Sequence, residues 1–390
     1  MWYKILYHFR KGAGSNQPAQ TGIAQSKGKY GRIEGMPTPL EALEILVRCE
    51  SPTQDLAACN EVVELARDLA ARVLGVPAQI RQINGRPVFW FGPEKPEIVL
   101  LGHLDTVWPQ GSFAPLWEVK GDIARGPGIF DMKAGFIQAL FALKAIEGSV
   151  ALVATTDEES GSATSKELIQ EISRGAKAVL VLEAAIDGKV KIGRKGTAMY
   201  QVVVHGRASH AGLEPEKGIN ATTEIAHIVL KLATLERAEH GTTVVPTVLR
   251  SGNTTNTVPD HAVLDIDIRS FSQADLLRVD GAIRSLSPTN QDARIEISGG
   301  LNRPPLEPAS TKYLYERAAK VAQSLGMTLG SASVGGASDG NFAAAAGARV
   351  LDGLGAVGAG AHALNEWVSI SAIDERINFL HHFIEDLLHD

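Results

Sequence analysis

The order of apolar and polar residues predicts an α/β domain at the start of the chain. Up to about residue 196, segments with apolar residues at helical spacing alternate with short apolar runs, a pattern typical of helices that cover a mostly parallel sheet. The predicted helices are Pro39–Leu74 (as one or two helices), Met132–Ile146 and Ser165–Ile172. The predicted strands are Val88–Phe91, Ile98–Leu101, Val150–Ala154 and Ala178–Leu182.

The pattern changes between residues 197 and 303. There the predicted elements follow the order β-α-β-β-α-β, the split unit of a ferredoxin-like α+β domain: Met199–Val204, Asn220–Leu235, Thr242–Leu249, Ala262–Ile268, Ala274–Leu286 and Arg294–Ile297. The α/β alternation then resumes with Tyr313–Leu325, Arg349–Leu351 and Ile373–Leu388. We therefore predict one α/β domain in two parts, 36–196 and 304–390, interrupted by an inserted domain at 197–303.

The first 35 residues differ from the rest in composition. They contain six Lys/Arg against one Glu, and residues 12–29 are polar. We interpret residues 1–35 as a disordered leader or tag, with Met36 as the natural start. A functional basic arm is the alternative.

Charge and cysteine content narrow the class of protein. The net charge of −6 gives no overall positive field for nucleic acid, and no apolar run approaches the roughly 18 residues of a membrane span. Cys49 and Cys59 are the only cysteines and form no C-x-x-C pair, so we expect neither a disulfide framework nor a thiolate metal site. A cytoplasmic enzyme without nucleic-acid or membrane partners fits this composition.

Acidic residues and histidines follow most of the predicted buried strands. The clusters are Gly102-His103-Leu104-Asp105, Phe130-Asp131-Met132-Lys133, Asp157-Glu158-Glu159, Leu182-Glu183 and Ala361-His362. Because the site of an open α/β sheet lies beyond the carboxyl ends of its strands, we expect these side chains to converge. Nitrogen and oxygen ligands without sulfur suit Zn²⁺, with Co²⁺ or Mn²⁺ as substitutes. The sequence therefore predicts a site for two divalent metals.

The spacing within the clusters indicates separate tasks. His103 and Asp105 project to one side of an extended backbone, so one can bind a metal while its neighbour holds the imidazole ring. Asp131 precedes a helix in a glycine-rich turn, and its two carboxylate oxygens suit a bridging ligand. Glu158 and Glu159 are adjacent, so one can ligate while the other acts as a base.

Each cluster alone is weak evidence. A lone His-x-Asp is usually a hydrogen-bonded surface pair, Asp-Glu-Glu is most often a solvated loop, and a single loop histidine such as His362 is seldom a ligand. The ordered combination with Glu183 is what favours a metal site.

Read in order, the motifs resemble the dizinc metallopeptidases and deacylases that include glutamate carboxypeptidase (carboxypeptidase G type), acetylornithine deacetylase and succinyl-diaminopimelate desuccinylase. The resemblance extends over about residues 37–390. It is carried by GHLDTV at 102–107, GPGIFDMKAG at 126–135, TTDEESGS at 155–162, GRASHAG at 206–212, GNTTNTVP at 252–259, GGASDGN at 335–341 and GAHALNE at 360–366. It implies a zinc-exopeptidase catalytic domain with an inserted lid or dimerisation domain.

The resemblance also implies a role for each matching residue. The implied ligands of two Zn²⁺ are Asp131 as the bridge, His103 and Glu183 in one site, and Glu159 and His362 in the other. The implied catalytic residues are Glu158 as general base, Asp105 to orient His103, His210 reaching the partner's active site in a homodimer, and Asn256 bonding the reacting carbonyl.

The implied activity is zinc-dependent hydrolysis of an amide bond next to a free carboxylate, with release of a C-terminal glutamate. Arg303, Arg269 and Lys189 are candidates to bind that carboxylate, for which the planar guanidinium of arginine is suited. GGASDGN departs from the commoner Gly-Gly-Thr-Asp form, so the resemblance does not define the details of the specificity pocket. The alternatives are an N-acyl amino acid deacylase and a non-catalytic metal- or ligand-binding homologue.

A competing motif is a G-x-G-x-x-G sequence at 353–358, which would suggest a dinucleotide enzyme. A true fingerprint opens a helix, and no amphipathic helix follows here. We interpret these glycines as a flexible loop that lets His362 reach the metal site.

Overall fold

The computed structural model describes residues 35–390, so the predicted leader lies outside the described residues except for Gly35. This range contains nine α-helices, α1–α9 in chain order: Pro39–Arg48, Leu56–Leu74, Ala134–Ala142, Lys166–Ser173, Ala221–Ala233, Gln273–Arg284, Pro308–Ser324, Gly340–Ala345 and Ser371–Leu388. None of these helices is both long and apolar enough to cross a membrane.

The same residues form eighteen strands. In chain order β1–β18 are Gln79–Ile83, Arg86–Phe91, Ile98–His103, Glu118–Lys120, Ile123–Arg125, Val150–Thr155, Ala178–Val181, Val190–Arg194, Gly196–His205, Ser209–His210, Thr243–Ser251, Thr257–Val258, His261–Ser270, Arg294–Arg303, Ser331–Val334, Val350–Leu351, Gly358–Ala359 and Trp367–Ser369.

The main sheet has the order β1-β2-β6-β3-β7-β16. Strands β6, β3, β7 and β16 are parallel to one another. Strand β2 pairs antiparallel with β6, and β1 pairs antiparallel with β2. Every residue of β3, β6 and β7 is buried because helices cover both faces. On one face Val99 packs with Ile169 of α4 and Phe342 of α8, and on the other Phe89 contacts Phe136 of α3 edge to face.

The second sheet is antiparallel, with the order β11-β13-β9-β14. Helices α5 and α6 supply the apolar residues that pack on one of its faces. The other face is more accessible, so burial alternates along β13. This connectivity is the β-α-β-β-α-β unit predicted from the sequence, and the predicted fold class is confirmed. The exact domain boundaries stay a prediction.

The segment 39–74, predicted as one or two helices, forms two, and the second begins after Asp55, whose side chain caps its first turn. The helix predicted at 132–146 differs from the observed one, which spans Ala134–Ala142. It begins late because Asp131 and Met132 have non-helical backbone, with φ of −117° and −136°. The backbone N–H of Asp131 is bonded to a distant glutamate, described below, rather than to a helical turn.

The glycine-rich segment 353–358 is tightly packed, so the predicted flexible loop is wrong. Leu354 and Ala356 are buried, and a Cβ atom on Gly355 would overlap the carbonyl oxygen of Leu182. The segment is followed directly by strand β17, which begins at Gly358, and not by a helix. The glycines allow neighbouring backbone segments to pack closely against this one. The interpretation of the segment as a dinucleotide-binding motif is not supported.

The core of the second sheet gives a test of this fold. Leu264 is fully buried at the centre of β13, so Leu264→Ala is expected to lower the free energy of unfolding by about 2–5 kcal/mol. The control is Leu277→Ala on α6, since Leu277 is 52% exposed and its change is expected to stay within about 0.5 kcal/mol. Urea denaturation followed by circular dichroism measures both, and equal losses would contradict this packing.

Candidate metal centre

Strand register brings the predicted site residues to one edge of the main sheet. His103, the last residue of β3, lies opposite Thr155 of β6, so residues 157–159 follow just beyond that edge. Glu183 follows the neighbouring parallel strand β7 by two residues. The carboxyl ends of three adjacent parallel strands therefore deliver a histidine and four acidic residues to one place, as expected for an α/β sheet.

Asp131 lies between two histidines. One of its oxygens, Oδ1, is 3.3 Å from Nε2 of His103, and the other, Oδ2, is 3.5 Å from Nε2 of His362. His362 Nε2 is also 3.0 Å from Oε2 of Glu159, and His103 Nε2 is 3.8 Å from Oε1 of Glu183. All five predicted ligands therefore meet around the Asp131 carboxylate.

Two groups of residues each bring three potential ligand atoms within 4.8 Å of one another. The first group is His103, Glu158 and Glu183, and the second group is His103, Asp131 and Glu159. Their imidazole nitrogens and carboxylate oxygens are donors that divalent metals such as Zn²⁺ accept. The residues present therefore fit a divalent metal.

Asp105 contacts His103 on the side of the ring away from Asp131. Nδ1 of His103 is 3.0 Å from the Asp105 carbonyl oxygen and 3.4 Å from its Oδ1. The other oxygen, Oδ2, accepts hydrogen bonds from the Thr53 hydroxyl and from the backbone N–H of Glu159. The buried Asp105 therefore fixes the ring of one predicted ligand and the backbone of another.

Glu366 is a functional residue that was not singled out from the sequence. Its carboxylate accepts hydrogen bonds from the backbone N–H of Gly128, Phe130 and Asp131 at 2.8–3.0 Å, and from Nε1 of Trp108 at 3.2 Å. Glu366 is 1% exposed. It therefore holds the irregular turn that carries Asp131.

Glu158 is paired with an arginine from the second sheet. Nη1 of Arg303, the last residue of β14, is 2.6 Å from Oε1 of Glu158, and Nη2 reaches the Glu158 carbonyl and the Ser162 hydroxyl. Burial raises the pKa of Glu158 to about 8, although Arg303 opposes that shift. Arg303, which the sequence analysis named as a candidate to bind the substrate's carboxylate, therefore contacts the predicted general base.

Glu183 is also held by cations that the sequence analysis missed. Nη2 of Arg194 is 3.1 Å from Oε2 of Glu183, and the same guanidinium forms two hydrogen bonds with Asp352. Nζ of Lys191 lies 3.8 Å from Oε2 of Glu183, whereas Lys189 is exposed. Asp352 directly follows strand β16. The rule that site residues lie beyond the carboxyl ends of parallel strands could therefore have identified it.

His210 and Asn256 are exposed and lie together on the inserted segment. Strand β10 pairs with β12, and the backbone N–H of Ala211 donates to the Asn256 carbonyl. His210 Nδ1 accepts hydrogen bonds from Gly212 and Leu213. Within residues 35–390, no hydrogen bond or ion pair joins His210 or Asn256 to the two groups.

Arg269 of β13 contacts a loop outside the second sheet. Its guanidinium pairs with Asp267 at 2.9 Å and donates to the carbonyl of Gly335 at 3.3 Å. Gly335 begins the GGASDGN motif. Within residues 35–390, the guanidinium of Arg269 forms no hydrogen bond or ion pair with the predicted metal ligands.

The two histidines of the cluster offset part of the negative charge of its carboxylates. Burial lowers the pKa of His103, but hydrogen bonds to Asp105 and Asp131 raise it well above its usual value. Hydrogen bonds to Asp131 and Glu159 raise the pKa of His362 to about 10. Burial would raise the pKa of Asp131, yet the two imidazoles lower it. The neighbouring carboxylates thus stabilise the protonated, positively charged histidines at the positions where metal ions would bind.

This arrangement defines a hydrolase of the metal-dependent α/β class. The chain belongs to Peptidase family M20/M25/M40, whose family model matches residues 99–386. It is 31% identical to carboxypeptidase G2 of Pseudomonas sp. (strain RS-16), over 95% of this chain and 94% of that protein. It is 25% identical to succinyl-diaminopimelate desuccinylase of Thioalkalivibrio sulfidiphilus (strain HL-EbGR7), over 87% of this chain and 96% of that protein.

A solved structure has the same fold. The YXEP protein of Bacillus subtilis, described as a dinuclear metal binding peptidase from the M20 family, aligns with a TM-score of 0.62 at 15% identity. The alignment covers 90% of this chain and 97% of that one. The family and the ligand groups together support a divalent metal and a small peptide-like substrate.

The contacts of Glu366 give a test of the site's architecture. Glu366→Ala removes the acceptor of three backbone N–H groups, and because each unpaired buried polar group costs about 1–3 kcal/mol, we expect a loss of about 3 kcal/mol or more. The control Glu171→Ala changes an exposed residue of α4 and is expected to alter stability by less than about 0.5 kcal/mol. Chemical denaturation of the chelator-treated proteins measures both, and similar values would refute the role.

Proposed function

We propose that the protein is a glutamate carboxypeptidase that hydrolyses an amide bond next to a free carboxylate and releases a C-terminal glutamate. The observation that carries the proposal is the Asp131 carboxylate, which presents one oxygen to His103 and the other to His362. Glu158 is grouped with the same His103 and with Glu183. The 31% identity to carboxypeptidase G2 over nearly the whole chain supports the same reaction.

Two Zn²⁺ ions are the proposed cofactors, with Co²⁺ or Mn²⁺ as substitutes. His103 and Glu183 would complete one metal site and Glu159 and His362 the other, with Asp131 shared. A bound divalent metal lowers the pKa of water and polarises a carbonyl group. Asp105 would keep the His103 ring oriented, since its backbone carbonyl oxygen lies 3.0 Å and its carboxylate 3.4 Å from Nδ1 of His103; carboxylates beside metal-binding histidines commonly have this role.

Glu158 is the proposed general base. Its carboxylate would accept a proton from the attacking water and return it to the leaving nitrogen. Its raised pKa of about 8 reflects a buried setting, in which a carboxylate is a stronger base than in water. Arg303, 2.6 Å away, holds this side chain in place when no substrate is present.

The substrate's carboxylate is proposed to bind Arg303, with Arg269 and Lys189 as further candidates. Arg303 is the best supported, since its guanidinium already contacts a carboxylate, that of Glu158, at the cluster. Arg269 pairs with Asp267, which is outside the two groups, and Lys189 is exposed, so both are weaker candidates.

His210 and Asn256 are proposed to act across a homodimer. Both are exposed and make no polar contact with the cluster of their own chain. A second subunit could therefore receive them, where they would donate hydrogen bonds to the reacting carbonyl. The cytoplasmic location expected from the sequence stays a prediction.

Replacing Glu158 tests the mechanism. Glu158→Gln keeps the shape of the side chain but cannot accept the proton, so kcat for release of glutamate from an N-acyl glutamate should fall by about 10²–10⁴. Metal content, measured by mass spectrometry, should stay that of the unmodified protein. The control Glu167→Gln alters an exposed residue of α4 and should leave kcat unchanged.

Different results would contradict different parts of the proposal. A Glu158→Gln variant that retains kcat would remove Glu158 as the base. Turnover restricted to N-acetyl-ornithine or N-succinyl-diaminopimelate would move the protein to the deacylases, as the 25% identity to a desuccinylase allows. A metal-loaded protein without any turnover of these substrates would support the non-catalytic alternative.

A further inference from the structure

Arg194, the last residue of β8, is buried beside the metal cluster with all of its donors in use. A guanidinium has five N–H groups in one plane. Nε and Nη2 donate to the two oxygens of Asp352 at 2.7 and 2.9 Å, and Nη2 also donates to Oε2 of Glu183 at 3.1 Å. Nη1 donates to the carbonyl groups of Gly336 and Ala337, both at 3.2 Å. These contacts fix the orientation of the Arg194 side chain.

Asp352 is held as firmly as the arginine that it pairs with. It is fully buried, and its Oδ2 also accepts a hydrogen bond from the Ser338 hydroxyl at 2.6 Å. A Cβ atom on Gly340 would lie 3.0 Å from the same Oδ2, so the surroundings are closely packed. Asp352 therefore offsets the charge of Arg194 and keeps its guanidinium from turning.

The GGASDGN motif supplies most of the remaining contacts. Gly336, Ala337 and Ser338 all belong to it, and the sequence analysis assigned no role to these three residues. The first two bond to Arg194 through their carbonyl groups, and the third bonds to Asp352. This segment is therefore a support for the buried ion pair.

The two oxygens of Glu183 have different neighbours. Oε2 accepts the hydrogen bond from Arg194 and lies 3.8 Å from Nζ of Lys191. Oε1 lies 3.8 Å from Nε2 of His103, on the side of the cluster. Because Arg194 occupies Oε2, Oε1 is the oxygen that Glu183 can offer to a metal. A group that bonds to a metal-binding carboxylate in this way orients it toward the metal.

We propose that Arg194, held by Asp352, is a positioning residue that directs Oε1 of Glu183 to one metal ion and thereby sets the affinity for that ion. This inference rests on the proposed function, because it takes Glu183 to be a metal ligand. In the part of the chain that the structure describes, Glu183 is the one proposed ligand that bonds to Arg194. The effect of Arg194 should therefore be confined to one of the two ions.

The test is a Zn²⁺ titration of chelator-stripped protein against a chromophoric competitor, which measures the affinity for each ion. Arg194→Lys keeps the positive charge but loses the planar fork of donors. The ion that Glu183→Gln weakens should bind to Arg194→Lys about 10–100-fold more weakly than to the unmodified protein, the effect typical of groups that orient a ligand. The other ion should keep its affinity. Added to Glu183→Gln, Arg194→Lys should cause no further loss, because it acts through Glu183.

A matched control is Arg278→Lys. The guanidinium of Arg278 likewise joins an aspartate, Asp275 at 2.6 Å, to a backbone carbonyl, that of Leu235 at 2.7 Å. None of these residues is a proposed metal ligand, so both affinities should stay unchanged.

A milder variant keeps the inference testable if Arg194→Lys does not fold, which circular dichroism would show. Ser338→Ala removes only the hydroxyl that donates to Asp352. It should weaken the same ion severalfold and leave the other ion unchanged.

The possible outcomes separate this inference from the proposed function. Unchanged affinities in folded Arg194→Lys, equal losses for both ions, or a further loss in the Glu183→Gln background would overturn the inference. If Arg194→Lys does not fold, unchanged affinities in Ser338→Ala would do the same. Full affinity for both ions in Glu183→Gln would contradict the metal assignment itself and the inference with it. A selective loss in a protein that releases no glutamate would reject the carboxypeptidase and keep the role of Arg194.

Discussion

The site depends on the position of a single carboxylate, that of Asp131, between two imidazoles. Its oxygens lie 3.3 Å and 3.5 Å from Nε2 of His103 and His362. Glu366 fixes this position by accepting the N–H groups of the turn that carries Asp131. Glu366 and His362 lie in the same loop between β17 and β18, so this loop carries one predicted metal ligand and the carboxylate that holds another.

A second constraint is electrostatic. The carboxylates of the first group are compensated by protein cations, since Arg303 contacts Glu158 and Arg194 contacts Glu183. Within residues 35–390, the carboxylates of Asp131 and Glu159 form ion pairs only with the two histidines. Divalent cations would complete this balance.

Much of this arrangement follows from local sequence. Apolar runs predicted the central strands to within a few residues. The rule that sites lie beyond the carboxyl ends of strands predicted that His103, Glu158 and Glu183 lie close together. The β-α-β-β-α-β order of the inserted segment could also be predicted from the sequence, because apolar and polar residues alternate along strands such as β13, where burial alternates in the same way.

The missed features depend on contacts between distant parts of the chain. Glu366 bonds to Phe130, 236 residues earlier, and Arg194 bonds to Asp352, 158 residues later. No local pattern distinguishes such a glutamate or arginine from a solvated one. The same long-range bond to Asp131 explains why the helix predicted from Met132 begins only at Ala134, and tight packing explains why the glycines at 353–358 do not form a flexible loop.

The most direct test of the account is the number of metal ions bound per chain. Protein stripped with a chelator would be dialysed against Zn²⁺ and analysed by mass spectrometry for metal content, with circular dichroism as a control for folding. If Asp131 bridges two sites, the unmodified protein binds two ions, Glu183→Gln weakens one of them, and Asp131→Asn weakens both. A single ion per chain, or two ions retained with full affinity by Asp131→Asn, would contradict the account.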